Sequence, residues 1–276
     1  MTESHWTRHA AQWNNVGSPL RPNEEDQRQY WQAIAACMSP AELAQSRTLL
    51  LGVTPELRAL PWPSSAQLIA CDLSLQMLHG IWPMASYSGD HATRINSDWM
   101  RLPLAANCCT LALGDGCLTT VPGDQDYRRI ARELHHVLAP DAHLIVRLFC
   151  APENAEQTED VLADLRRGAV GNFHAYKWRL VMAMHAHDPA LTLADVWASW
   201  DAEFPDKQAV ARLSGWSIDA INTLSAYRDA PARYSYLSVA QVAELFAPEF
   251  KLIGMIYPSY ELGERCPIVS FQRIRI

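Results

Sequence analysis

The stretch TLLLGVTPELRALPWPSSAQLIACD (residues 48–72) contains two short apolar segments, and each of them runs into a residue that suits a turn. The first segment, 48–53, is apolar up to Gly52, and the second, 67–71, is followed by Asp72. Uninterrupted apolar segments of this length are typical of strands that are buried on both faces of a parallel sheet. We therefore predict that these two segments are neighbouring elements of such a sheet.

Further apolar segments on the carboxyl-terminal side predict strands at 93–96, 109–114 and 143–150. Helical patterns separate several of the strands, at 74–82 and at 124–138. Strands that alternate with helices indicate a mostly parallel sheet with helices on both faces. The predicted fold class is therefore α/β.

The chain after residue 150 changes character. Residues 151–237 carry no strand signal and predict a series of helices, after which a helix at 239–246 and strands at 250–257 and 267–274 follow. The short spacing of these last two strands favours an antiparallel pair. We expect four regions, which are an N-terminal helical cap segment (1–43), a cofactor-binding core (44–150), a helical insertion that covers the substrate site (151–237) and a final helix with two strands that completes the sheet (238–276).

Composition narrows the class of function. The chain has 276 residues, 49% of them hydrophobic, and a formal net charge of −7, which is typical of a globular protein. Since neither half is basic, we expect no nucleic-acid partner. We also expect no membrane partner, no signal peptide and a cytoplasmic location, because no apolar segment is long enough for a membrane span. The cysteine and histidine spacings predict no metal site, and we expect a monomer or homodimer.

Candidate binding residues lie where the predicted strands end, which is where open parallel sheets bind ligands. They are Gly52, Asp72, Asp98 and 114–116. Asp72 follows Gly52 by the 20 residues at which a carboxylate typically meets the ribose hydroxyls of a nucleoside. The same residue types also suit turns and helix caps, so this alternative stays open. A nicotinamide-dependent oxidoreductase is a further alternative, although residues 52–57 (GVTPEL) do not form a G-x-G-x-x-G motif.

Five segments resemble class I S-adenosylmethionine-dependent methyltransferases. They are LLLGVTPEL (49–57), LIACDLSLQML (68–78), INSDWMRLPL (95–104), CTLALGDGCLTTVP (109–122) and RRIARELHHVLAPDAHLIVRLF (128–149). The sequence departs from the family at Thr54, Pro55 and Glu56, where further glycines are expected. The resemblance implies a seven-stranded sheet of order 3-2-1-4-5-7-6, with the last inserted strand antiparallel. It also implies S-adenosyl-L-methionine as the cofactor.

The resemblance implies roles for residues on the nucleoside side of such a cofactor. Asp72 would accept hydrogen bonds from both ribose hydroxyls, and Asp98 would accept one from the adenine amino group. The apolar cover of adenine would come from Leu73 and Met77, with Trp99 near the ring.

On the methionyl side, the implied contacts involve two strand ends and the N-terminal segment. The Gly52 backbone would approach the methionyl group, and Thr54 would offer donors at the start of the next helix. Gly114, Asp115 and Gly116 would form the wall near the sulfonium, with Asp115 facing the ammonium. Arg21, in the stiff segment WNNVGSPLRPN (13–23), would pair with the carboxylate.

The acceptor has weaker signals. Tyr176 and Lys177, in the insertion, are candidates for the acceptor pocket, as are Arg147 and Tyr257 near strand ends. His174 and Tyr176 are the candidates for a catalytic base, if the acceptor atom needs one. We expect methyl transfer to a small-molecule acceptor by SN2 displacement at the sulfonium methyl. The alternative is a catalytically degenerate protein of the same fold that binds the cofactor or a partner.

Overall fold

The computed structural model describes residues 5–85 and 91–275. Seven strands form one sheet, and they are β1 (Arg47–Leu51), β2 (Gln67–Asp72), β3 (Ala92–Asn96), β4 (Cys109–Asp115), β5 (Leu138–Arg147), β6 (Phe250–Ile256) and β7 (Ile268–Arg273). Their order is β3-β2-β1-β4-β5-β7-β6. The first five strands pair in parallel, and β7 pairs antiparallel with both β5 and β6. The predicted α/β fold class and strand order are confirmed.

Helices cover both faces of this sheet and fill the segment between β5 and β6. In chain order they are α1 (His5–Ala11), α2 (Glu24–Cys37), α3 (Pro40–Ala44), α4 (Pro55–Arg58), α5 (Leu75–Gly80), α6 (Asp124–Val137), α7 (Thr158–Arg166), α8 (Phe173–His187), α9 (Leu193–Glu203), α10 (Lys207–Ser214), α11 (Ile218–Asn222) and α12 (Val239–Phe246). Two of the short 3-10 turns are Cys117–Thr120, which follows β4, and Thr223–Tyr227, which follows α11.

Side-chain caps explain where several helices begin. The Asn23 side chain accepts hydrogen bonds from two backbone amides at the start of α2, and Ser238 forms a capping box with Gln241 at the start of α12. Asn172, Thr192 and Ser217 cap the insertion helices α8, α9 and α11 in the same way. Each cap satisfies backbone N–H groups that the first helical turn leaves without partners.

The strand β5 differs from its predicted bounds. It begins at Leu138, directly after α6, and ends at Arg147, whereas the sequence predicts a strand at 143–150. Its register with β4 shifts between Cys109 and Leu111, so that Pro140 falls in an irregular part of the ladder. A proline is tolerated there because no regular ladder bond requires its missing N–H.

The N-terminal helix α1 connects the sheet domain to the insertion. On one side it packs closely on α5, where a Cβ added at Gly80 would lie 3.3 Å from the Ala10 Cβ. On the other side the Gln12 Nε2 donates a hydrogen bond to the Ser225 Oγ in the turn Thr223–Tyr227 (3.0 Å). This helix therefore spans the space between the strand ends and the insertion.

Candidate functional site

A cavity of about 500 Å³ opens at the carboxyl ends of β1, β2 and β4. This volume lies in the usual range of about 300–1,000 Å³ for small-molecule sites. Three parts of the chain form its walls, which are the strand ends, the N-terminal segment with α1, and the insertion. Of the predicted cofactor residues, the lining includes Gly52, Thr54, Asp72, Leu73, Met77, Asp98, Trp99, Asp115 and Gly116. Their individual roles toward a cofactor stay predictions.

Asp72 is the carboxylate at the end of β2. Its Oδ1 accepts a hydrogen bond from the Ser74 backbone N–H at 2.7 Å, which turns the chain into α5. Burial raises the pKa of Asp72 to about 6, and the Ser74 hydrogen bond opposes that rise. The carboxylate is therefore ionised above neutral pH and protonates in mild acid.

Gly52 holds open the space beside this carboxylate. Its φ of +97° is unfavourable for any residue with a side chain. A Cβ at this position would lie 3.8 Å from the Asp72 Oδ2 and 3.9 Å from Trp99 Cζ2. The end of β1 and the Asp72 carboxylate thus border the same small volume, which a side chain on residue 52 would enter.

Trp99 and Asp98 border the far side of this volume, after β3. The Trp99 Nε1 donates to the Cys71 carbonyl at 2.7 Å, and this bond fixes the indole against the end of β2. Asp98 Oδ1 accepts a hydrogen bond from the Met100 backbone N–H at 2.9 Å. Of the two predicted adenine covers, Met77 is buried and Leu73 is 70% exposed, as suits a surface that a ligand would cover.

The two glycines at the end of β4 have different functions in the structure. Gly116 lies on the cavity lining with φ +57°, and a Cβ there would overlap the Phe149 ring. Gly114 is not itself on the lining, but a Cβ there would lie 2.5 Å from the Sγ of Cys117, which is on the lining. Gly114 thus leaves room for a side chain of the wall, and its predicted place near the sulfonium stays a prediction.

Asp115, between these glycines, belongs to a buried polar network that the sequence reasoning did not find. Its Oδ1 accepts a hydrogen bond from the Arg147 Nε at 2.6 Å, and the Arg147 Nη1 donates to Asp26 Oδ2 at 2.8 Å. The Tyr260 hydroxyl donates to Asp26 at 2.8 Å, and the Tyr30 hydroxyl donates to the Gly114 carbonyl at 2.7 Å and lies 3.3 Å from Asp115 Oδ1. Burial raises the pKa of Asp115 to about 6, although the Arg147 charge opposes that rise.

The sequence predicts that Arg147 contributes to the acceptor pocket. The structure gives this residue a different role. Its side chain is fully buried and joins α2 to the ends of β4 and β5. The guanidinium is held between the carboxylates of Asp26 and Asp115, and with the Tyr260 hydroxyl these acceptors take up four of its five N–H donors.

The prediction for Arg21 is corrected in a similar way. The Arg21 Nε lies 2.5 Å from Glu56 Oε1, its Nη1 donates to the Trp13 carbonyl at 3.3 Å, and the residue is not on the cavity lining. The Glu56 carboxylate, at the start of α4, binds this arginine. Arg21 thus fixes the N-terminal segment to α4.

Helix α8 does not present its predicted acceptor residues to the cavity. Tyr176 is fully buried against the rings of Phe173, Trp200 and Trp216, at centroid distances of 5.3–6.2 Å. Lys177 is also fully buried, and neither residue lies on the lining. Most residues of this helix are buried, and its side chains pack within the insertion.

Two further predicted residues lie outside the cavity lining. Tyr257, after β6, is half exposed. His174 is buried, and its ring packs against Gly17 of the N-terminal segment, so that a Cβ on Gly17 would lie 3.1 Å from His174 Cδ2. Burial lowers the pKa of His174 to about 4, which makes this imidazole a weak base.

The wall opposite the strand ends is aromatic. Its rings come from the N-terminal segment, from the residues after β5 and from the insertion. The Phe149 and Trp178 centroids are 4.6 Å apart, and those of Trp178 and Tyr234 are 6.1 Å apart. The aromatic and imidazole side chains of this wall are His5, Trp6, His9, Trp13, Phe149, Trp178, Tyr227 and Tyr234.

Comparisons with known proteins add the following. A scan against protein-family models found no match, and a search of the curated proteins also found none. Among solved structures, a Rhodobacter sphaeroides protein named as a Zn-dependent alcohol dehydrogenase aligns over 100% of both chains, with a TM-score of 0.56 and 12% identity. A chain from the complex of the Haloferax volcanii Trm112 methyltransferase activator with a methyltransferase aligns over 99% of both chains, with a TM-score of 0.53 and 11% identity.

A third structure, the N-methyltransferase NodS from Bradyrhizobium japonicum in complex with S-adenosyl-l-homocysteine, aligns over 98% of this chain and 99% of that chain, with a TM-score of 0.49 and 10% identity. Sequence identities this low show similarity of the fold alone. The strand order, together with the antiparallel β7, identifies the fold. The chain has the class I methyltransferase fold.

Within this methyltransferase fold, the cavity lies where the carboxyl ends of the central parallel strands meet. In residues 5–85 and 91–275, no three His, Cys, Asp or Glu side chains converge as metal ligands. None of the helices in that part of the chain combines the length and apolar character needed to cross a bilayer.

Proposed function

We propose that this protein transfers a methyl group from S-adenosyl-L-methionine to a small-molecule acceptor. The observation that carries the proposal is a single cavity. It is bordered by Gly52, Asp72, Trp99 and Asp115, which come from four separate strand ends or the loops after them, and it continues to an aromatic wall. Such an arrangement offers a polar half for a nucleoside amino acid and an apolar half for a second ligand.

The residues present fit the cofactor at its nucleoside end. Asp72 keeps its Oδ2 beside the space that Gly52 leaves open, where ribose hydroxyls would donate to it. Trp99 and Met77 provide flat and apolar surfaces for adenine, and Asp98 provides an acceptor for its amino group. When bound, the cofactor supplies a methyl group on a sulfonium, which is already activated for displacement.

The network around Asp115 fits the charged end of the same cofactor. It contains two carboxylates, Asp26 and Asp115, and one guanidinium, Arg147, so it carries a net negative charge when both acids are ionised. Asp115 is the member of this network that reaches the cavity. An ammonium group at this position would meet that charge without needing a new counter-ion.

The aromatic wall would orient the acceptor and keep water from the reacting atoms. Phe149, Trp178 and Tyr234 present large rigid rings, which bind planar ligands at low conformational cost. Alignment of the two ligands is the main contribution that a protein makes to such a displacement. A small organic acceptor with a planar group fits this wall better than a flexible chain does.

Calorimetric titration tests the cofactor part of the proposal. We expect S-adenosylhomocysteine to bind, and NAD not to bind. The Asp72→Ala variant should lose about 1.5–3 kcal/mol of the binding free energy for S-adenosylhomocysteine, because the ribose hydroxyls lose a charged hydrogen-bond acceptor. The control is Asp141→Asn, which alters a carboxylate near the amino end of β5 and should bind normally. Unchanged affinity in Asp72→Ala would contradict the proposed site.

The alternative is a protein of this fold that binds the cofactor without catalysis. The observation behind it is the loop after β1, where Thr54, Pro55 and Glu56 replace expected glycines and Glu56 is committed to Arg21. Incubation with methyl-labelled S-adenosylmethionine and a panel of planar acceptors, followed by mass spectrometry, separates the two functions. A methylated product supports the enzyme, and cofactor binding without any product over the whole panel supports the alternative.

A further inference from the structure

Lys177 is fully buried, and no carboxylate in residues 5–85 or 91–275 forms an ion pair with it. Its Nζ donates one hydrogen bond to the Thr223 carbonyl at 3.2 Å and lies 4.2 Å from the centroid of the Tyr227 ring. Burial lowers the pKa of Lys177 to about 7. An ammonium group in this position is costly, because neither partner carries a negative charge.

Two histidines, His9 of α1 and His174 of α8, lie near enough for the charge of this lysine to act on them. His9 lies on the cavity lining, with its ring 6.1 Å from that of Tyr227. Burial first, and then the charge of Lys177, lowers the pKa of His9 to about 3 and that of His174 to about 4. Burial, with no compensating carboxylate among the described residues, therefore disfavours the charged forms of the basic cluster of His9, His174 and Lys177.

The acids on neighbouring elements are committed elsewhere. Glu156 and Asp164 on the α7 side bind Arg179, and Asp195 of α9 caps its own helix at Thr192. Asp219 of α11 is exposed. The same elements also carry the titratable groups His5, Tyr227 and Tyr234 and the positive charges of Arg8, Arg228 and Arg233, so none of these groups supplies an anion for Lys177.

The cavity is consequently polarised. Its three lining carboxylates, Asp72, Asp98 and Asp115, all lie at strand ends or in the loops after them, whereas His5, His9 and Arg233 lie on the side of α1 and the insertion. On that side, Trp13 and Trp178 each carry a buried indole N–H without an acceptor among the described residues. An indole N–H is only a donor, so an occupant with oxygen atoms would suit this side.

We propose that the basic cluster of His9, His174 and Lys177 forms, with the cavity wall at His9, a binding site for a ligand carboxylate. The carboxylate can belong to either of two ligands, which are the cofactor, through its methionyl end, and an aromatic acid that binds as the acceptor. Both candidates rest on the function proposed above. In either case a carboxylate at His9 stabilises the protonated form of Lys177 behind it, so its binding takes up a proton.

The proton uptake is measurable without any turnover. Calorimetry at pH 8 in phosphate and in Tris gives the number of protons taken up with each probe. With a pKa of about 7, Lys177 is mostly neutral at pH 8, and an anion that restores its charge causes an uptake of ~0.5–1 proton. The probes are S-adenosylhomocysteine, 5′-methylthioadenosine, which lacks the amino-acid end, and 2-naphthoate.

The three probes identify the source of the carboxylate. Uptake with S-adenosylhomocysteine and none with methylthioadenosine assigns the site to the cofactor. Uptake only when 2-naphthoate binds to the protein saturated with S-adenosylhomocysteine assigns it to the acceptor. If S-adenosylhomocysteine does not bind, the proposed function fails, and 2-naphthoate with the free protein then decides the present proposal by itself.

Two variants separate this proposal from a purely structural lysine. Lys177→Met keeps the packing against Tyr227 and should abolish the uptake while the protein stays folded, as circular dichroism would show. Lys207→Met is the matched control, because Lys207 also lies over an aromatic ring, that of Trp200, but is paired with Asp201 at 2.8 Å. No uptake with any probe, or the same uptake in Lys177→Met as in the natural protein, overturns the carboxylate site.

Discussion

Replacing Gly52 by alanine separates the geometry of the cofactor site from the stability of the fold. At φ +97° an alanine is strained, and the left-handed backbone typically costs ~1–2 kcal/mol for a residue with a side chain. In a chain of this size that corresponds to a fall of about 2–8 °C in Tm. The added Cβ makes ordinary contacts of 3.8 Å and 3.9 Å with Asp72 and Trp99, so no clash within the protein adds to this cost.

The binding of S-adenosylhomocysteine should suffer more than the fold does. The new methyl group enters the space between the end of β1 and Asp72, and overpacking of this kind costs about 1–3 kcal/mol, or roughly five- to 150-fold in affinity. The matched control is Gly168→Ala, because Gly168 also has a positive φ, +67°, and nothing lies within 4 Å of an added Cβ.

Differential scanning fluorimetry measures the Tm of both variants, and calorimetric titration measures their affinity for S-adenosylhomocysteine. We expect comparable losses of Tm in Gly52→Ala and Gly168→Ala, with weakened binding only in the former. Equal affinities in the two variants would refute the reasoning, since they would show that no ligand atom approaches Gly52.

Three more perturbations test other parts of the site. The affinity for S-adenosylhomocysteine, measured by calorimetric titration, should fall about tenfold from pH 7 to pH 5. Asp72, with a pKa of about 6, becomes protonated over this range and loses the negative charge that accepts hydrogen bonds from the ribose hydroxyls. The affinity of the Asp72→Asn variant should depend less on pH. Arg147→Met should lower the free energy of unfolding by about 3–5 kcal/mol at pH 8, and by less at pH 5, because Asp115, whose pKa burial raises to about 6, is ionised and unpaired at pH 8 but mostly protonated at pH 5; urea denaturation at both pH values measures this. Gly80→Leu should displace α1 from α5, at the contact with Ala10, and weaken binding of S-adenosylhomocysteine by titration while Tm changes little.

Much of the fold was predictable because its signals are local. The apolar segments of β1, β2 and β4 are buried on both faces, so their sequences needed no alternation to be interpreted correctly. Helix caps such as Asn172 and Ser238 also act within a few residues. The start of β5 was missed because Pro140 and Asp141 resemble a turn, whereas the sheet accommodates them in a register shift.

The candidate site was predictable only where a residue's position in a strand fixed its place. Gly52 follows β1 directly, Asp72 and Asp115 end β2 and β4, and all three lie on the cavity lining. Arg147 also ends a strand, but its partner Asp26 is 121 residues away, and no local signal showed that pairing. Arg21 was assigned to a ligand for the same reason, because its partner Glu56 comes from another element.

Arg147 and Lys177, which do not line the cavity, still contribute to the distribution of charge across it. Because Arg147 neutralises only one of the two carboxylates it joins, the Asp115 end of the cavity keeps a negative charge above the pKa of about 6. The opposite side has His9 on its lining and Lys177 behind it, with no acid on that side among the described residues. A zwitterionic amino-acid end would therefore be oriented with its ammonium toward Asp115 and its carboxylate toward His9. If 2-naphthoate alone causes the proton uptake, the same field would instead draw an acidic acceptor to the insertion side and leave the strand ends to the cofactor.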